Sequence, residues 1–248
     1  LPNFEGEYHV PDPGVTLSKR AEDSGKPFSE WMASQSAVRN AMLEKRSTRV
    51  RPATDKKILT AWNGLMVAGL ADAGRILKRK DYQSAAISAV GFLLKHSRDE
   101  SGRLLRSHAQ GEARLNAYVD DYAFLVSALI SLHRAMGDER LLKLASQLTD
   151  QQIELFWDDQ RGGFFFTSAD HPDLIVRLKD PVDSAIPSGA SVTAETLLYL
   201  IQNTDRPDYE PRLQATLQSF VPLMRRAPGA APRAAAVMAA TLDRATSP

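Results

Sequence analysis

The chain has 248 residues, 43% hydrophobic and 25% charged, with a formal net charge of +1 and no cysteine. That length is ample for one large domain or two small ones, and the composition excludes disulfides, thiol nucleophiles and Cys-ligated metals. Near-neutral charge gives no general pull toward nucleic acid or an anionic membrane, and no apolar run is long enough to span a bilayer, so neither partner is expected.

Residues 1–27 carry Pro2, Pro11, Pro13, Gly14, Gly25 and Pro27, a density that predicts an irregular N-terminal arm. The opening LPNFEGEYHV reads like the middle of a longer chain, so a fragment is expected. A single domain is expected over 28–248. Its first helix uses Trp31, Ala37, Val38, Ala41 and Met42 and ends near Arg49, before Pro52. Thr54 or Asp55 then caps a long helix whose apolar stripe is Ile58, Leu59, Trp62, Leu65, Met66, Gly69, Leu70 and Ala73. A partner helix follows at about 81–97. GRLLRSHAQGEARL alternates around its glycines and predicts a β-hairpin. Helices are expected from Asp120 to Met136 and from Asp138 to Phe156. A second glycine-led strand pair, GGFFFTS with LIVR, precedes the loop KDPVDSAIPSG and helices at about 189–203, 208–226 and 232–245.

The pattern repeats: helix, turn, helix, β-excursion, with starts at Asp55, Asp120 and Ser188 that are nearly evenly spaced. Hairpins stacked side by side are the expected architecture, because none can bury its apolar face alone. Alternate helices then run parallel, and their N-termini share one mouth with both excursions. Asp55, Trp62, Asn63, Asp120, Asp121, Tyr122, Asp183 and Ser188 are expected around it.

Within VDDYAF, Asp120 is expected to be the N-cap of its helix, and Asp121 favours the positive end of the helix dipole. The functional reading has one acid capping while the other faces the mouth as a ligand for sugar hydroxyls or an acid/base. Tyr122 then supplies an apolar platform with a polar tip. In TAWNGL, Trp62 sits at core spacing, but Asn63 and Gly64 together disfavour a helix and point to close packing or a ligand. In RLKDPVDSAIPSGAS, Ser188 and Gly189 open a helix able to hold an oxygen, while Arg177 and Lys179 balance Asp180 and Asp183 or bind an anion. His9, His96, His108, His133 and His171 are scattered without ligand spacing, so no metal and no other cofactor is expected.

RPATDKKILTAWNGLMVAGLADAGR, GRLLRS, DDYAF, GGFFFT and KDPVDSAIPSGAS, in that order, resemble the thioredoxin-domain family related to spermatogenesis-associated protein 20. The resemblance covers nearly the whole chain. It implies an all-α helical-hairpin repeat, part of an (α/α)6 toroid similar to six-hairpin glycosidases and N-acylglucosamine 2-epimerases. It also implies that a thioredoxin-like domain and further hairpins lie upstream as the missing N-terminal half. Asp55, Trp62, Asn63, Arg106, Asp121, Tyr122, Arg177, Asp183, Ser188 and Gly189 match the family's motifs. Ala190 departs from them, standing where the family usually has asparagine.

Three functions follow as expectations. One is a carbohydrate-active toroid, hydrolase-like or epimerase-like, with Asp121 and Asp183 as acid/base and the other matched residues binding substrate. The second is a non-catalytic module that binds a glycan or peptide for the upstream redox domain. The third is a purely structural module. Apolar faces left uncovered by missing hairpins favour self-association. Zero cysteine fits a reducing compartment, so a cytoplasmic location is expected.

Overall fold

The computed structural model describes residues 14–171 and 174–246. Its contacts divide the chain into two compact units, Leu1–Asp55 and Lys56–Pro248. The first holds α1 (Leu17–Asp23) and α2 (Phe28–Ser47). Thr16 caps α1, its Oγ1 accepting from the Lys19 N–H at 3.2 Å. The expected irregular arm is therefore helical over part of its described length, and its residues 1–13 lie outside the described ones. The expected first helix is α2, but it belongs to this unit and not to the helical domain expected to begin at residue 28.

The second unit holds β1 (Ile58–Leu59), α3 (Thr60–Ile76), α4 (Lys80–His96), β2 (Leu105–Ala109), β3 (Glu112–Asn116), α5 (Val119–Met136), α6 (Glu139–Phe156), α7 (Gly189–Asn203), α8 (Tyr209–Arg226) and α9 (Pro232–Thr246). Consecutive helices form the hairpins α3/α4, α5/α6 and α7/α8, while α3, α5, α7 and α9 pack one against the next. The helical-hairpin repeat expected from sequence is present. The odd helices form a row, and even helices back it.

Burial follows this placement. Between two neighbours and a backing helix, α5 hides Tyr122, Phe124, Leu125, Leu129 and Leu132. Backing helix α6 buries one stripe only: Leu142, Ala145, Leu148, Thr149, Gln152 and Phe156. Asp138 caps that helix by accepting from Arg140 N at 3.0 Å. Gly137, left-handed at φ 70°, ends α5 and lets the chain reverse. α3 packs closely on α5. A Cβ on Gly64 would lie 2.7 Å from the Phe124 carbonyl carbon, so the glycine expected to mark close packing or a ligand marks close packing.

The first β-excursion is the hairpin expected from GRLLRSHAQGEARL. Gln110 and Gly111, both left-handed at φ 54° and 87°, turn β2 into β3. It gains a third strand that sequence reasoning assigned to a helix: Ile58 pairs with His108 and Leu59 with Ser107. As a result α3 begins at Thr60, not at Asp55, and its N-cap is Leu59. The helices of the row start at 60, 119 and 189, so the expected even period is lost while the hairpin order is kept.

The second expected strand pair does not form. Only a single bridge joins Trp157 to Phe164. The physical reason is that a side chain takes the Thr167 carbonyl that a neighbouring strand would use, and ties it to the last turn of α6. The Arg177 guanidinium donates to Thr167 O at 2.8 Å and to Leu155 O at 3.1 Å. Arg103 joins this segment to the first excursion by pairing with Asp170 and donating to Ser168 Oγ at 2.9 Å.

Candidate functional site

The N-termini of α3, α5 and α7 meet, and the paired acids are what join them. Asp121 is fully buried. Its Oδ1 accepts from the Ala61 N–H at the start of α3, at 2.8 Å. Its Oδ2 accepts from Tyr118 N at 2.8 Å, the reach-back of a third-position acid to its own cap residue. Arg106, on β2, adds Nη1 at 3.5 Å. Asp120 faces the other way and takes the N–H of Gly189 at the start of α7. Gly189 must be glycine at this approach, because a Cβ there would collide with Asp120 Oδ1 and lie 3.0 Å from Val119 Cγ1.

The roles expected of the two acids are therefore exchanged. Asp120 is not the N-cap, a position held by Tyr118. Asp121, expected to be free for the mouth, is the locked one. Asp120 is half-buried, and burial together with the Asp121 charge pushes its carboxyl up to about 6, with Asp180 adding to the repulsion. Burial also raises Asp121 to about 6, against the donors from Tyr118, Ala61 and Arg106 that favour its charge. The two titrate as a coupled pair, and Asp121, with two N–H donors and a guanidinium, is the better place for the negative charge.

Beside the acid pair stand aromatic and cationic groups. The Arg106 guanidinium lies over the Tyr118 ring at 4.4 Å, and that ring packs on Phe166 at 4.8 Å. Trp62, next to the Ala61 that holds Asp121, is 63% exposed despite its core spacing. Asn63 turns back on its own helix, Nδ2 donating to Leu59 O at 2.9 Å.

The remaining expected site residues lie elsewhere. Tyr122 is not a mouth platform: it is core, packed on Phe156, with its hydroxyl accepting from Leu104 N at 3.1 Å. Asp183 holds a different corner. Its Oδ1 accepts from Ser188 N at 2.9 Å and Ser191 Oγ at 2.5 Å, and its Oδ2 from Arg233 N at 2.9 Å, tying the starts of α7 and α9 together. Ser188 caps α7 by accepting from Ser191 N at 3.0 Å, as expected. Arg177 is spent on the second excursion, stacked 4.1 Å from the Phe165 ring centroid. Asp55 belongs to the first unit and precedes the start of α3. Ala190 lies in an apolar cluster with Phe220, Ala231 and Ala234, so an asparagine amide at this position would be buried among carbon atoms, not offered to a ligand.

Sequence reasoning missed Tyr118 and Asp180 as members of the site, and gave Asp120 the cap that Tyr118 holds. The available signal was the three-residue step from Tyr118 to Asp121, obscured because tyrosine is an unusual cap. Among the described residues no group of three or more His, Cys, Asp or Glu is placed to hold a metal. Among them, too, no helix is long and apolar enough to cross a membrane.

Comparison with known proteins bears on the fold. No family model matches the chain. Spermatogenesis-associated protein 20 of Rattus norvegicus is 36% identical over 244 residues, which are 93% of this chain and 31% of that protein. The chain thus spans about a third of the curated relative it matches. Among solved structures, cellobiose 2-epimerase from Spirochaeta thermophila superposes with a TM-score of 0.52 at 22% identity, over 66% of this chain and 43% of that one. A GH76 alpha-mannanase of Bacteroides thetaiotaomicron does so with a TM-score of 0.54 at 19% identity, over 77% and 55%. The row of helices and its backing layer are part of an (α/α)6 toroid.

Proposed function

From the chain's homology to one region of spermatogenesis-associated protein 20 and its partial toroid fold, we propose that the α5 N-terminus binds and acts on a carbohydrate-like ligand. The feature that carries this reading is Asp120, a half-buried carboxyl at the meeting of α5 and α7, pushed up to about 6 by burial and then by the charge of the adjacent Asp121. A carboxyl in that range exchanges a proton readily near neutral pH, which is what a general acid or base on a sugar oxygen or ring carbon requires. Asp121 serves as the fixed negative charge that ties the starts of α3 and α5 together. The exposed Trp62 indole and the Arg106–Tyr118 stack offer an apolar face and donors suited to a pyranose. The names of the superposed structures, a sugar epimerase and a mannanase, support the same ligand class.

The test is a saccharide panel read by NMR shift perturbation and product analysis on the native chain, Asp120→Asn and Asp121→Asn. Saccharide-dependent shifts at Trp62, with turnover lost in Asp120→Asn while its melting temperature does not fall, support the proposal. No response to any saccharide, or turnover unaffected by Asp120→Asn, sinks it.

A second reading, a non-catalytic scaffold, is favoured by the hydrogen bonds that consume Asp121, Asp183 and Arg177. Saccharide binding that survives Asp120→Asn with no product at all would select a glycan-binding version of it. Trp62, Met66, Ile76 and Leu77 of α3 and its C-cap are exposed, and self-association through them is part of the proposal. A concentration-independent monomer in sedimentation velocity would remove that part.

A further inference from the structure

A groove of about 660 Å³ runs along α7 and α9, bounded at one end by the 183–187 loop and at the other by Arg134 from the last turn of α5. Its depth comes from Ala236 and Ala240, one turn apart on α9, facing Leu198 and Tyr199 of α7. Its charges are mostly spent. Arg233 pairs with Glu195, and Asp183 is occupied by the N–H groups and hydroxyl already described.

Arg134 differs. Its guanidinium lies 4.4 Å from the Tyr199 ring centroid, and it has no carboxylate partner among the described residues. The ring beneath it is pinned, because the Tyr199 hydroxyl hydrogen-bonds with His133 Nδ1 at 3.1 Å. The cation is thus held flat over an aromatic face, its fork of N–H donors available, beside an apolar wall.

We propose that this groove binds a small monocarboxylate with an apolar body. The planar fork of a guanidinium matches a carboxylate through two parallel hydrogen bonds. One unpaired cation calls for one negative charge, and a dianion would leave the groove with surplus negative charge beside Glu195. The alanines and Leu198 take the body. The site is separate from the acid pair: Arg134 lies roughly 21 Å along α5 from Asp120 at the usual helical rise.

The experiment titrates the 248-residue chain with phenylacetate and, as a neutral isostere, phenylacetamide, followed by NMR shifts of the α7 and α9 amides. Phenylacetate is expected to bind at least about tenfold more tightly than the amide. Arg134→Gln should abolish that preference without changing amide binding, and Ala240→Leu should weaken both by filling the groove. Asp120→Asn should leave all of this unchanged, which separates the groove from the carbohydrate reading. Equal affinity for acid and amide overturns the proposal. So does an absence of saturable phenylacetate binding in the millimolar range, a preference that survives Arg134→Gln, or one that is lost with Asp120→Asn.

Discussion

Two acidic corners of the helix row use the same residue type to opposite ends. At the α7–α9 corner, Asp183 gives one oxygen to donors at the start of α7 and the other to a donor at the start of α9, and has no task left. At the α5 corner the work is divided between neighbours: Asp121 takes the backbone donors, and Asp120 stays half-buried with its carboxyl raised. The difference teaches that adjacency matters more than acidity. A lone acid at a helix junction becomes a cap. A second acid beside a cap inherits the desolvation and the repulsion without the full set of donors, and so becomes the group poised to titrate.

The sharpest way to break the comparison is to remove one oxygen from each of the paired acids. Asp121→Asn puts an amide N–H where Oδ1 or Oδ2 now accepts from a buried backbone N–H. One helix start loses its acceptor, and a donor faces a donor. We expect a loss of about 2–3 kcal/mol in urea unfolding. A loss below about 0.5 kcal/mol would mean that the N-termini of α3 and α5 are not held by this side chain.

Asp183→Asn tests the other corner. The amide oxygen can keep Ser188 N and Ser191 Oγ, and only the bond from Arg233 N is forfeited. The expected cost is smaller, about 1 kcal/mol. It should appear as faster hydrogen exchange at the start of α9 with α7 unaffected. Equal losses for Asp183→Asn and Asp121→Asn would dissolve the distinction between the corners.

Asp120→Asn should go the other way. A carboxyl whose folded pKa is raised from 3.8 to about 6 binds its proton more tightly in the native state than in the unfolded chain. Native stability is therefore greatest below pH 4 on this account, falls as pH rises to 6, and is flat beyond. Asparagine removes that fall. The variant should be about 1 kcal/mol more stable than the parent at pH 7.5, a figure reduced for the residue's partial exposure, and equal to it at pH 3.5. A variant less stable than the parent at pH 7.5 would show that Asp120 is a structural acid like Asp183.

How far this was legible follows from what each signal depends on. The helices from α4 to α9 could be read to within a residue or two because their apolar spacing is local, and Gly137 and Ser188 punctuate their ends. The start of α3 could not: Ile58 and Leu59 fit a helical stripe equally well and were claimed by β2, about fifty residues away. The second excursion was misread for a similar reason, since nothing local says that the Arg177 guanidinium will replace a strand. The mouth was legible as a place, because parallel helices put their N-termini together. Its division of labour was not. Whether Asp120 or Asp121 turns inward depends on where Ala61 and Gly189 arrive, which is a tertiary fact.

The smallest expected effect on stability bears most directly on function. Trp62 has the spacing of a core residue, yet it is 63% exposed, while Gly64, two residues on, meets the α5 backbone. A large indole left in water contributes little to folding, so Trp62→Ala should change unfolding free energy by less than about 0.5 kcal/mol. If Asp120 works on a saccharide, that same substitution should weaken binding about tenfold or more by removing an aromatic face, while leaving the titration near pH 6 in place. A Trp62→Ala variant that keeps full saccharide affinity would detach the indole from the acid pair. A variant destabilised by more than 2 kcal/mol would return Trp62 to the core its spacing first suggested, and would leave the α5 corner with a poised acid but no surface on which to seat a sugar.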